Sequence, residues 1–123
     1  MANELALAAK LTYSPSEAGQ LKVDPPVLSK TVSMTGTDHT QYTQSIGTAN
    51  EQLSVPGDIG TVGYMMIKNV DATNFVQLSD ANDTNYLIKL KAGEFALFRA
   101  ADNTIFAKAD TAAVNVQVWM FED

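Results

Sequence analysis

The 123-residue chain carries 14 acidic against 8 basic side chains, with 46% hydrophobic residues, 18% charged residues and no cysteine. It is too apolar for a disordered chain, and without thiols it has neither a disulfide frame nor a thiolate site. Its net charge of −6 argues against a nucleic-acid partner, which calls for a basic face to displace counterions from phosphates.

At this length a single domain is expected, with residues 1–26 open to reading as an N-terminal arm. The opening MANELALAAK has no basic segment followed by a continuous apolar stretch, so no secretory signal is expected. No run approaches the ~20 apolar residues of a membrane span, so no membrane partner is expected either. NELALAAKLTY is ambiguous. Its alanines and leucines suit a helix, yet Leu5, Leu7, Ala9, Leu11 and Tyr13 alternate as far as Ser14-Pro15, which favours a strand. Residues 15–26 read as a loop around the short extended piece LKVD. Pro25 and Pro26 cannot donate to a central ladder and belong at an edge or in a connection.

Period two then dominates. In LSKTVSM the set Leu28, Val32 and Met34 shares a face, and TDHTQYTQSIGTANEQ reads as an exposed strand plus loop. In NYLIKLK the residues Tyr86, Ile88 and Leu90 fall on one side. IKLKAGEFALFRA reads as a hairpin turning at Ala92-Gly93, where glycine permits a positive φ, with Phe95 and Leu97 continuing the next strand. In AAVNVQVWMF one face is Val114, Val116, Val118 and Met120. Turn signals separate these runs at Gly36, Gly47, Pro56-Gly57, 71–74, 80–85 and Asp102-Asn103. Short strands at such spacing predict an all-β chain: an antiparallel β-sandwich or small barrel, with jelly-roll topology favoured.

The chemistry-bearing residues do not assemble into a site. A cupin-like metal centre would place several histidines near a glycine turn, but His39 is the single histidine and lies far from Gly93 in sequence. A Ser-His-Asp triad would depend on the same His39, and no G-x-S-x-G stretch occurs. Paired carboxylates of the glycosidase kind are easily drawn by chance among 14 acids. Asp80, Asn82 and Thr84 alternate like the start of a calcium loop, but Asn85 and Lys91 stand where glycine and glutamate are required. A hairpin loop is the better reading. Asn82-Asp83-Thr84 spells a glycosylation acceptor, inert without secretion. Gly57, Gly60 and Gly63 lack the Gly-Lys-Ser/Thr ending of a phosphate loop. No catalytic residue, metal ligand or cofactor is assigned.

The last strand is unusual. Opposite its valines stand Asn115, Gln117, Trp119 and Phe121, so its end is apolar on both faces. Either another segment of the same chain covers Trp119, or Trp119 and Phe121 belong to a subunit interface, where large aromatics are favoured. Gln41, Tyr42 and Gln44, with His39, form a second candidate surface of amides and aromatics.

The stretches MANELALAAKLTYS, TQSIGTANEQLSV, IKNVDATNFVQL, LKAGEFALFR and AKADTAAVNVQVWMFED together resemble a group of small virion-associated structural proteins of tailed bacteriophages. The resemblance touches most of the chain outside residues 15–40. Its motifs are turns, here Lys68, Asn69, Asp71, Ala72, Thr73 and Asn74, followed by Gly93 and Glu94. It implies a non-enzymatic all-β virion protein made in the host cytoplasm. It would decorate the capsid by binding the major capsid protein, or form a small part of tail or neck. A receptor- or carbohydrate-binding module of a fibre or spike is the alternative. Decoration proteins often sit at threefold positions of shells, and by that analogy a homotrimer is expected.

Overall fold

The computed structural model describes residues 3–81 and 83–123. The chain forms two compact units, one through Thr35 and one from Gly36 to Asp123. No helix occurs among the described residues, and every strand ladder is antiparallel.

In the first unit, β1 (Asn3–Ala9) pairs with β2 (Leu28–Met34), from Asn3 opposite Met34 to Ala9 opposite Leu28. NELALAAKLTY thus takes the strand reading, but only as far as Ala9. Farther out, Tyr13 and Val23 exchange both backbone hydrogen bonds, at 2.8 and 2.9 Å. This continues the two-stranded ribbon through the LKVD segment. Pro25 and Pro26 lie between that bridge and β2, where no ladder bond is asked of them.

The second unit holds β3 (His39–Ile46), β4 (Glu51–Gln52), β5 (Val62–Asn69), β6 (Val76–Ser79), β7 (Tyr86–Leu90), β8 (Phe95–Arg99), β9 (Phe106–Ala109) and β10 (Val114–Glu122). They form two four-stranded sheets, ordered β3-β10-β5-β8 and β4-β9-β6-β7. The pairs β3 with β10, β4 with β9, β5 with β8 and β6 with β7 nest inside one another. The pairing is that of one long hairpin rolled over on itself. The two sheets pack as a β-sandwich around a core to which Val114, Val116, Val118 and Met120 contribute the predicted face of β10. Met65 and Ile67 of β5, Val76 and Leu78 of β6, and Leu90 of β7 are among the others that fill it, all nearly inaccessible. Each such side chain stabilises the fold by roughly 1.5–3 kcal/mol through removal of apolar surface from water.

One turn differs from expectation. Ala92-Gly93 is not a hairpin between neighbouring strands, because β7 pairs with β6 while β8 pairs with β5 in the other sheet. The turn carries the chain across the core. Locally it is a tight turn, with the Glu94 N–H donating to the Lys91 carbonyl at 3.0 Å and Gly93 at φ 80°. The 80–85 segment does close a hairpin, between β6 and β7, with Asp83 in the left-handed region at φ 54°.

Asn69 joins these parts. Its fully buried side-chain amide donates to the carbonyls of Asn74 (2.8 Å) and Leu90 (3.0 Å), and its oxygen accepts the Asp71 N–H (2.8 Å). Its backbone exchanges bonds with Glu94 and Gly93. The 68–74 turn and the Gly93-Glu94 turn, distant in sequence, are therefore one hydrogen-bonded assembly. Within it the Asp71 carboxylate accepts the N–H groups of Asn74 (2.6 Å) and Thr73 (2.9 Å), which hold its pKa below the usual value.

Glu122 ties two further loops to the end of β10. Its carboxylate accepts N–H groups from Gly60 (2.9 Å), Thr37 (3.1 Å) and Asp38 (3.3 Å). The chain approaches so closely at Gly36 that a Cβ there would clash with the Glu122 side chain. The Gly60 bond, then those of Asp38 and Thr37, lower the Glu122 pKa from its ordinary 4.5. Because the folded-state pKa is depressed, this stabilisation is complete above 4.5 and is lost as pH falls through the folded value. Glu122→Gln is expected to melt at lower temperature than the parent at neutral pH, with the gap closing in acid. A gap unchanged by pH would show that the carboxylate charge is not its source.

Candidate interaction surface

The outward face of the sheet β3-β10-β5-β8 gathers large apolar side chains. Alternation turns Val114, Val116, Val118 and Met120 inward, so Trp119 and Phe121 point outward. Gln41, Trp119, Met66 and Leu97 stand opposite one another in register across the four strands. The next row is Thr43, Gln117, Lys68 and Phe95. On the other side of the tryptophan, Phe121 stacks on His39 with ring centroids 6.0 Å apart and planes 17° apart. Phe95 is 66% and Leu97 37% exposed, whereas Trp119, Met66 and Phe121 are half-buried.

Polar groups surround this apolar band. Gln41 and Thr43 lie on the edge strand β3. At the opposite edge Arg99 bonds Asp123 at 2.6 Å and lies 4.8 Å from the Tyr64 ring centroid. An apolar centre with a polar rim is the anatomy of a protein–protein contact surface. The sequence pattern exposed Trp119, Phe121 and Gln41 as candidates but missed Tyr64 and Met66. The signal for these was in VGYMMIKN, where apolar residues occupy both alternating sets.

Tyr42 and Gln44 sit elsewhere. They share the inner face of β3 with the buried Ile46. The Tyr42 hydroxyl donates to the Ser54 carbonyl at 2.5 Å, and burial pushes its pKa up to about 12. The Gln44 amide donates to the Gln52 carbonyl at 3.1 Å and accepts the Ser54 N–H at 3.0 Å. Both side chains thus lace β3 to the segment around β4, so the second candidate set is split: Gln41 and His39 share the outer face with Trp119 and Phe121, while Tyr42 and Gln44 lie on the inner face.

His39 is exposed and engaged with Phe121, and among the described residues no hydrogen bond links it to a hydroxyl or carboxylate. Of the residues weighed for a calcium loop, Asn82, which is also the glycosylation acceptor, lies outside the described residues. Asp83 meets Lys108 at 3.5 Å. Among the described residues no three His, Cys, Asp or Glu side chains are grouped to hold a metal. A cleft of about 230 Å³ lined by Leu78, Ile88, Phe98 and Ile105 is smaller than the roughly 300–1,000 Å³ of small-molecule sites.

The larger unit is thus an antiparallel β-sandwich whose most developed surface feature is an apolar sheet face. Compared with protein-family models, with curated proteins and with solved structures, the chain matches none.

Proposed function

We propose that the protein is a non-enzymatic structural component of a phage virion that decorates the capsid as a homo-oligomer, a trimer by analogy, and stabilises it by binding neighbouring coat subunits. The observation that carries the reading is the outward sheet face with Trp119, Met66, Leu97 and Phe95 inside a polar rim, a surface suited to subunit contact. The resemblance to virion proteins gives that contact its setting. Its two motif turns meet at Asn69 as structural bonding, the role expected of them in a rigid building block. The nested strand pairing supports a jelly-roll topology.

Mechanically, an oligomer would bridge coat subunits and raise the barrier to shell rupture. A standard specific interface buries roughly 1,200–2,000 Å² in total, and an oligomer multiplies weaker contacts through effective concentration. Quantitative mass spectrometry of purified virions should find hundreds of copies. Particles stripped of the protein should keep their shape but rupture at lower temperature or osmotic stress. A handful of copies, with intact shells and lost adsorption to host cells, would overturn this reading in favour of a receptor- or carbohydrate-binding tail module.

A further inference from the structure

The first unit has an amphipathic tip. On one face of the ribbon, Asp24 meets Lys10 at 3.2 Å and Lys22 at 4.0 Å, and accepts a hydrogen bond from Thr12 at 3.3 Å. The opposite face begins with the paired Tyr13 and Val23, and by two-residue alternation includes Leu11 and Leu21. Those four side chains are 56%, 49%, 76% and 88% exposed. A two-stranded ribbon is marginal alone in water, and this one leaves its large apolar groups uncovered while its polar groups bond each other.

We propose that this apolar face of the ribbon seats on the outer sheet face of a second copy of the chain, over Trp119, Met66 and Leu97. Each subunit then gives one ribbon and receives another. Charge favours this occupant. Residues 1–35 carry Lys10, Lys22 and Lys30 against Glu4, Glu17 and Asp24, so the net charge of −6 resides entirely in residues 36–123. Two sandwiches brought face to face repel each other, whereas a neutral ribbon meets an acidic sandwich without that cost. The contact is head-to-tail, the kind that closes into a ring when the rotation permits. The inference rests on reading the outer sheet face as a subunit contact, and the test separates the two.

The chain has no cysteine, so an introduced thiol is the sole one. Full-length Leu21→Cys and Leu97→Cys chains, both altered at exposed positions, are mixed and oxidised. The expected product is the mixed disulfide-linked pair in excess over either like pair. In sedimentation at micromolar concentration, Leu21→Glu and Leu97→Glu should each weaken association about tenfold or more, as loss of an interface anchor does, with the β circular-dichroism signal retained. If Leu97→Glu alone dissociates the oligomer and links join Leu97 to Leu97, the ribbon seat is overturned while the sheet contact stands. Links between Leu21 and Leu21 alone overturn it in favour of ribbon-to-ribbon pairing. A monomeric parent chain overturns both.

Discussion

Asn69→Ala should lower the unfolding free energy by about 2–4 kcal/mol, since a buried group stripped of its partner costs roughly 1–3 kcal/mol. The substitution would strand the Leu90 and Asn74 carbonyls and the Asp71 N–H, all now bonded to the amide. Asn69→Asp sharpens the test. Its oxygen could still accept the Asp71 N–H, but a carboxylate would face two carbonyls where a donor stood. That environment raises the carboxyl pKa, so the variant should regain stability as pH falls, when the protonated acid can donate again. Denaturant melts across pH would check both. A loss below about 0.5 kcal/mol, the scale of ordinary surface substitutions, would mean that the Asn69 amide does not hold the two turns together.

Ile67→Ala should be of similar or larger effect. Ile67 is fully buried on the second unit's inner face, with Val118 and the small Ala96 as its cross-strand neighbours. Neither neighbour is large enough to fill the space, so a loss of about 2–5 kcal/mol is expected. In a denaturant series the midpoint should fall with the slope unchanged. Met66→Ala, one residue away but facing outward, should leave the isolated sandwich nearly as stable while weakening association. Equal destabilisation by both would mean that the two faces of β5 are not distinguished as the sheet register requires.

Residues whose neighbours are set by alternation were legible before folding was considered. Val114 to Met120 and Tyr86 to Leu90 each announce a strand and its buried side, while Leu28 to Met34 announces a strand whose apolar face is buried only toward Met34. What alternation does not encode is the identity of the partner strand. Gly93 marks a turn in either case, but whether β8 lies beside β7 or crosses to β5 depends on pairing between remote segments. The outer face was half legible for a related reason. Trp119 and Phe121 stand out against polar neighbours on their own strand, whereas Met66 is hidden in a run apolar on both sides. Tyr42 and Gln44 looked like surface residues because they are polar. Their parity with Ile46 already placed them inside, where hydrogen bonds across to the β4 segment make polarity tolerable.

The nested pairing also constrains how the chain is born. β10 lies between β3 and β5 and supplies four core side chains, yet it follows every other described strand in the sequence. A ribosome adding roughly 5–20 residues per second therefore releases β3 and β5 before the strand that joins them exists. Their ladder edges and the apolar faces of Met65 and Ile67 must wait for residues 114–122. The sandwich therefore cannot close before β10 has been made, and its folding is dominated by distant contacts, which places it among the slow, millisecond-to-second folders. A nascent or truncated chain lacking β10 would present open strand edges, the template on which chains aggregate.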